Sequence, residues 1–365
     1  MHENYLLIPI NLKPLEHEIL SSWLIRSAIA NGVDPIGYTN GIWFDYRAWT
    51  RDISRYLPDV KIKILASVSN LSCDDVYNLT LKSLLDPILS RNELHPKKAW
   101  KWVIPIGIRN RSRTNGLYFC PECLKDKPLF FRKEWRLSWN FSCERHNILL
   151  HLNCPKCHTI FSPHLISYSN TDISKCQHCD FDLKTSPHFP PDIQATSLQH
   201  ILNNLIYYKA PIPSSFPPIN NTLRDLFSTM RILLILVRNF ERHKNTKYIL
   251  LRELGLTHLN TYYRPHHGDT IDSISVNERH FLFTVISRLF NHSLNEIIHL
   301  FKKAKITKEI LSVRGIPPSD TIVYITSKLK SRTREKFTRE RKKSKVQVKS
   351  KEIVERIMSD IRQYL

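Results

Sequence analysis

Glycine and long apolar runs are scarce in this sequence, and each shortage excludes a class of protein. Only eight of the 365 residues are glycine. No Walker A loop, which cradles nucleotide phosphates, is present, so the chain is not itself a P-loop ATPase. The aliphatic run Ile232–Val237 has six residues, far short of the roughly 20 that a membrane-spanning helix needs. We therefore expect no membrane span.

Acidic residues are also few, since 33 Asp and Glu face 54 Lys and Arg, which gives a net charge of +21. Such an excess favours a polyanionic partner. The stretch from Lys328 to Lys351 holds twelve basic and two acidic residues, so it supplies +10 of that charge. It is either a solvated extension or an arm that neutralises phosphates. Its candidate contacts are Arg339, Arg341, Lys342 and Lys343.

A second basic stretch lies nearer the N-terminus and is interleaved with Trp100 and Trp102. This mixture is typical of a surface that meets nucleic acid or an acidic protein, and equally of an ordinary amphipathic connection. Its candidate binding residues are Lys97, Lys98, Lys101, Arg109, Arg111 and Arg113.

Seven of the eight cysteines fall within 60 positions, and with one histidine they form four pairs at i and i+3. That spacing lets a tight turn aim two soft ligands at one ion, and structural zinc sites need two such turns. In chain order the pairs form a Cys₃His site and a Cys₄ site, with 19 and 18 residues between their halves, enough for a short hairpin in each. The predicted ligands are Cys120, Cys123, Cys143 and His146, then Cys154, Cys157, Cys176 and Cys179.

Both sites use every pair and leave no ligand position open, so we predict two structural Zn²⁺ ions per chain. The alternative is a set of disulfides, but seven cysteines is an odd number and no signal peptide opens the chain. We therefore expect a cytoplasmic protein. His151, His158 and His178 lie nearby but stand outside these four pairs. Cys73 stands alone, and we expect it to be a small buried hydrophobe.

The rest of the chain reads as helical. A helix over the segment Pro14–Gly32 is followed by two helices about the turn 70–72, the second running through Val76 and Leu79 to Leu84. These two helices form a helix-turn-helix candidate. Ser72 and Asp75 resemble a capping box, and the acidic start Asp74-Asp75 would repel DNA. This helix pair is therefore either structural and protein-facing, or base-reading.

After a proline-rich linker at 184–192, four helices are predicted at Leu198–Tyr208, Leu223–Phe240, Arg279–Phe290 and Leu294–Lys303. Ser293 and Glu296 form another capping box, so the last two helices are a second helix-turn-helix candidate. The predicted fold is mainly α with tandem zinc modules. Its divisions are a helix-turn-helix domain at 1–115, a zinc region at 116–184, a helical domain at 185–327 and a basic tail at 328–365.

The zinc region also resembles the TniQ/TnsD family. The resemblance rests on Tyr118–Leu124, Phe131–Trp139, Cys143–Leu150 and the pair Cys154–Cys157. The opening segment Pro14–Gly32, with Glu18, Ser22-Trp23-Leu24 and Arg26, is similar to that family's first motif, as is Leu65–Ser72. The likeness covers roughly residues 5–180, is most specific over 118–157, and the family's two zinc sites fall on the eight ligands above.

The resemblance implies a target-selection protein of Tn7-like transposons that recruits a TnsC-type AAA+ ATPase. In one branch, short TniQ members dock on an RNA-guided CRISPR effector (Cascade) with its guide RNA, often as homodimers. In the other, TnsD-like members bind a fixed attachment site on DNA directly. The short C-terminal region and the acidic helix start favour the adaptor branch, while the basic tail favours direct DNA binding.

Two further classes remain as alternatives. A zinc-dependent nuclease would need a metal position open to water, yet His146 completes the first site. A transcription regulator would share the helix-turn-helix but would not account for the Trp135–Trp139 motif. We therefore expect a non-catalytic protein.

Overall fold

Two sets of helices flank a cysteine-rich segment that has very little regular secondary structure. The computed structural model describes residues 8–106, 116–167, 170–217, 219–239, 244–257, 259, 270–313 and 316–331. The N-terminal helices are α1 (Leu20–Ala30), α2 (Pro35–Ile42), α3 (Asp59–Ser69), α4 (Cys73–Asn78) and α5 (Lys82–Leu85). The C-terminal helices are α6 (Ile193–Tyr207), α7 (Leu223–Asn239), α8 (Lys244–Glu253), α9 (Val276–Phe290), α10 (Leu294–Lys303), α11 (Lys308–Leu311) and α12 (Asp320–Ser327).

Within the described ranges, the only sheet is one antiparallel hairpin of β1 (Ser142–Cys143) and β2 (Ile148–Leu149). Short 3₁₀ turns complete the regular structure of the segment. The prediction of a mainly α fold with two cysteine-rich modules is confirmed. None of the described helices is long and apolar enough to cross a membrane.

α1 forms because apolar residues recur on one face, and Leu20, Trp23, Leu24 and Ala28 are all buried. Asn31 caps its C-terminal end, and Gly32 follows with a φ of 68°. A left-handed residue just past the last turn is a frequent helix stop, and glycine adopts it without strain.

The predicted helix pair around residue 70 is present, but its second helix is shorter than predicted. Asn70 adopts a left-handed φ of 53°, and Ser72 and Asp75 form the predicted capping box. The prediction that this helix continues to Leu84 is wrong, because α4 ends at Asn78 and α5 is separate. Between them, the backbone of Leu79 and Leu81 is hydrogen-bonded to Leu20 and Ser54, respectively. These long-range bonds replace the helical ones.

One further expectation is corrected, since Cys73 is exposed at the first position of α4, not buried.

The proline-rich linker 184–192 packs against the cysteine-rich segment. The Leu149 amide donates to the Phe189 carbonyl at 2.8 Å, and the His151 ring lies 2.9 Å from the Pro187 carbonyl oxygen.

Helices α9 and α10 form the second predicted helix pair, with the Ser293–Glu296 capping box in place. α9 packs against α6 and α7. One apolar core runs from α5 through the cysteine-rich segment into α6–α12, and a second, smaller core lies among α1–α4. The described residues up to 331 form one compact unit, and the boundaries at 115, 184 and 327 remain predictions from sequence.

Candidate metal centres and the segment that joins them

All four ligand pairs are held by the same backbone turn. In each, the amide that follows the second ligand donates to the carbonyl of the first ligand, which brings side chains i and i+3 to one side. The four bonds are Leu124 to Cys120 (3.2 Å), Asn147 to Cys143 (2.8 Å), His158 to Cys154 (2.9 Å) and Asp180 to Cys176 (3.0 Å). Asn147, His158 and Asp180 adopt left-handed φ values of 51°, 58° and 54° to close their turns.

The first cluster brings three sulfurs and one imidazole nitrogen together. The Cys123 sulfur lies 3.5 Å from the Cys143 sulfur, and the His146 Nδ1 lies 3.5, 3.3 and 3.6 Å from the sulfurs of Cys120, Cys123 and Cys143. A tetrahedron with 2.3 Å zinc–sulfur bonds has edges of about 3.8 Å. The spacing therefore fits one tetrahedral ion.

The second cluster has the same geometry with four sulfurs. Cys154 and Cys179 are 3.7 Å apart between sulfurs, and Cys157 and Cys176 are 3.6 Å apart. In each cluster the four ligand atoms all lie within 4.8 Å of one another. His151, His158 and His178 belong to neither cluster among the described residues. The two modules are short turns, since the only two-stranded hairpin described carries Cys143 and His146.

Electrostatics in the first cluster also favour a cation. Hydrogen bonds with Cys123 and Cys143 lower the pKa of the Cys120 thiol to about 3, while the bond to Cys120 raises the pKa of Cys123. Cys120 therefore carries the negative charge, and ionisation of the Cys123 thiol beside it is disfavoured. A divalent cation removes this conflict, because thiolates are the form that binds zinc.

The segment Phe131–Trp139 joins the first cluster to the N-terminal helices. Glu18 is buried, and its carboxylate accepts two hydrogen bonds from Arg26 at 2.7 and 2.6 Å and one from the Ser22 hydroxyl at 2.8 Å. The same hydroxyl accepts the Phe131 amide at 2.9 Å. Glu18, Ser22 and Arg26 therefore form one hydrogen-bond network. Through the Ser22 hydroxyl, this network holds the start of the segment Phe131–Trp139 in place.

A second buried ion pair lies further along the same segment. Arg136 is 1% exposed, and its guanidinium donates to both carboxylate oxygens of Asp52 at 2.7 and 3.3 Å. It also donates to the Ile104 carbonyl at 2.8 Å. Bidentate geometry of this kind fixes orientation as well as distance.

The C-terminal helices hold the other side of the segment through polar residues that sequence reasoning missed. Asn203 accepts the Trp139 indole N–H at 2.8 Å, and Gln199 accepts the amides of Phe141 and Ser142 at 3.0 and 3.2 Å. Gln199 and Asn203 stand at i and i+4 on the apolar face of α6. Polar residues on a buried face need partners, and that pattern is the signal that could have identified them.

Asp272 makes the remaining contacts from the C-terminal region. Its carboxylate accepts the Trp102 amide at 2.9 Å and the Ser138 hydroxyl at 2.8 Å, and it pairs with Arg231 at 2.6 Å. It precedes α9 and carries no local sequence signal. All these contacts show that the segment is the centre of the packing and not an exposed reactive loop.

The structure describes three of the six predicted binding residues near Trp100 and Trp102, namely Lys97, Lys98 and Lys101. Trp100 and Trp102 are buried, so for the tryptophans the structure favours an amphipathic connection over a stacking surface. Lys101 pairs with Glu93 at 2.8 Å, Lys98 donates to Asn92 at 2.6 Å, and Lys97 is exposed. Arg109, Arg111, Arg113, Arg339, Arg341, Lys342 and Lys343 lie outside the described residues.

Comparison with known families gives one match. Residues 9–150 match the TniQ family, a range that contains the Glu18 network, the segment Phe131–Trp139 and the complete first cluster. The second cluster lies beyond it. No curated protein matches the chain. The segment 9–150 therefore belongs to the TniQ family, which supports identifying the chain as a TniQ/TnsD-type protein of a Tn7-like transposon.

Proposed function

We propose that this chain is a non-catalytic target-site selector in Tn7-like transposition. It docks on an RNA-guided CRISPR effector (Cascade) and recruits a TnsC-type AAA+ ATPase. The observation that carries the target-selection role is the TniQ match over residues 9–150. The burial of the family's polar motif agrees with a rigid scaffold whose outer surfaces bind partners.

The N-terminal helix pair supports the adaptor branch over direct reading of DNA. A recognition helix presents its first turn to base edges and phosphates. Here that turn carries the exposed Asp74 and Asp75. Hydrogen bonds from Ser72 lower the pKa of Asp75, so this carboxylate stays negatively charged and repels phosphates. At six residues, α4 also offers little length to lie in a groove.

The test is a footprint on target DNA with purified protein, with and without the guide-loaded effector. We expect no protected site with the protein alone, and a guide-dependent site that also retains the ATPase when the effector is present. A sharp protected site with the protein alone, bound roughly 10³-fold more tightly than random DNA, would contradict the adaptor role and establish the attachment-site alternative.

One observation favours a second role, contact with the DNA backbone. Lysines lie at the end of α10, at the start of α11 and at the end of α12, and the Lys308 amide joins α11 to the end of α12 by donating to the Lys330 carbonyl at 3.2 Å. None of them forms an ion pair with a described residue. This lysine surface consists of Lys302, Lys305, Lys308, Lys328 and Lys330. In the sequence it is followed by the remaining basic residues of the tail, and we propose that both neutralise phosphates without reading sequence.

We also propose that each cysteine cluster binds one Zn²⁺. The donor sets are Cys₃His and Cys₄, and the ligand spacings match a tetrahedron about one ion. All four positions of each site are filled by protein, so the metal has a structural role. When bound, zinc neutralises the thiolates and adds its binding free energy to that of folding.

A further inference from the structure

A cleft of 810 Å³ lies between α2, the turn that follows α2, and the 3₁₀ turn Pro163–Leu165 of the cysteine-rich segment. It is distinct from both metal centres and from the lysine surface. Three large apolar side chains that line it are open to solvent. Phe44 is 99% exposed, Leu165 57% and Ile36 41%. Grouped exposed hydrophobic residues of this size mark interaction surfaces.

The cleft is preformed by the packing around it. Phe44 directly follows Trp43, which is anchored in the smaller core. Trp43 is 1% exposed, and its indole donates to the Lys61 carbonyl at 3.2 Å. Trp49 donates to the Pro35 carbonyl at 3.0 Å and stacks on His164, with the ring centroids 5.0 Å apart. Because this stack joins the N-terminal helices to the cysteine-rich segment, the cleft has a fixed shape.

The charge of the cleft indicates what binds there. Arg47 is its one permanently charged lining residue, and its guanidinium forms no ion pair with any residue that the structure describes. Its neighbours are occupied, since Asp45 pairs with Lys61 and Arg51 lies over the Tyr46 ring at 5.0 Å. An apolar cleft with one available cation is complementary to an apolar segment that carries a carboxylate.

We propose that this cleft is the docking site for a short amphipathic helix of a partner protein. The helix buries an apolar side chain against Phe44 and Leu165 and places a carboxylate on Arg47. A second copy of this chain suits the cleft less well, because two chains of +21 repel each other. The inference adds a protein-binding surface to the proposed adaptor role, and its test needs neither the ATPase nor the effector.

The experiment selects displayed helical peptides of about four turns on the purified full-length protein and on three variants. Peptides enriched on the wild type should have one apolar face and an Asp or Glu beside it. Phe44→Ser should weaken their binding about 10- to 100-fold, the effect of removing one buried aromatic side chain. Arg47→Glu should reverse the charge preference, so that Lys or Arg replaces the carboxylate.

Val60→Ser is the matched control, because Val60 is also an exposed apolar residue of the N-terminal helices, at 65%, but does not line the cleft. It should enrich the same peptides as the wild type. Equal binding to wild type and Phe44→Ser, or enrichment without a carboxylate preference, would overturn the proposal. So would self-association of the wild type in sedimentation that Phe44→Ser abolishes, since the occupant would then be a second copy.

Discussion

At the scale of single residues, contacts inside the fold account for the polar residues of the family's opening motif. The buried Glu18 carboxylate forms a bidentate pair with the half-buried Arg26 and also accepts the Ser22 hydroxyl, and this network extends to the Phe131 amide. Removing one partner from such a pair leaves an uncompensated buried charge, which costs more free energy than the pair contributes. The motif therefore stabilises the fold of the matched region.

Glu18→Gln should lower the free energy of unfolding by about 3 kcal/mol, because the half-buried Arg26 then keeps its charge without a counter-charge. The measurement is urea denaturation of the full chain. Glu16→Gln is the control, since the Glu16 side chain is 82% exposed and its change should cost less than about 0.5 kcal/mol. Equal midpoints for the two variants would contradict this account of the motif.

Cys73 shows where residue-level prediction fails. Its burial was predicted from residue type alone, yet it occupies the exposed first turn of a capped helix. The predicted ligand pairs do come together in the structure, because each is defined by a local turn whose two side chains must converge. A single cysteine carries no such geometric information.

At the scale of elements, the four ligand turns are nearly self-contained. Each closes with one backbone hydrogen bond across five residues, so the sequence pattern alone predicted them. The break between α4 and α5 could not be predicted in the same way. It is produced by backbone bonds from Leu20 to Leu79 and from Leu81 to Ser54, residues that are distant in sequence.

Replacing a ligand should remove one metal ion and destabilise the cysteine-rich segment. Cys120→Ser or Cys154→Ser should reduce zinc from about two ions per chain to about one and lower soluble yield, because metal binding is coupled to folding. Metal analysis of purified protein measures the content, and thermal unfolding measures the stability.

Cys73→Ser is the matched control, because this exposed cysteine lies outside both clusters and its change should leave the metal content at the wild-type value. Wild-type protein without zinc, or a full complement of metal in Cys154→Ser, would show that the clusters are not zinc sites.

At the scale of the whole molecule, charge is concentrated at the C-terminal end. If the lysine surface and the tail both bind phosphates, deleting residues 332–365 should weaken non-specific DNA binding. Changing Lys302, Lys305, Lys308 and Lys330 to Gln should weaken it further. The slope of log affinity against log salt should fall by roughly 0.7–0.9 for each phosphate that the protein no longer neutralises.

The control changes Lys125 and Lys184 to Gln, because these lysines pair with Glu122 and Asp182 on the cysteine-rich segment. It removes charge from another surface and should leave the salt dependence nearly unchanged. If the truncated and the lysine-substituted proteins keep the wild-type slope, the basic end is a solvated extension only.

Hydrogen bonds join residues from different predicted divisions of the chain. Helix positions were predictable because α6, α7, α9 and α10 have clear apolar periodicity. How they pack was not, since it depends on bonds such as that of Trp139 to Asn203, 64 residues apart, and that of Arg279 to the Asn140 carbonyl, 139 residues apart. Such pairs leave no periodic trace in the sequence.

The bond between Trp139 and Asn203 has a consequence for how such proteins diversify. The indole belongs to the matched region and its partner to a helix beyond it. If relatives exchanged the matched region alone, Trp139 would come from one protein and α6 from the other. Gln199 and Asn203 would then face side chains that do not supply their hydrogen-bond partners. Recombination that preserves function must therefore carry α6 and the helices behind it together with the region they support.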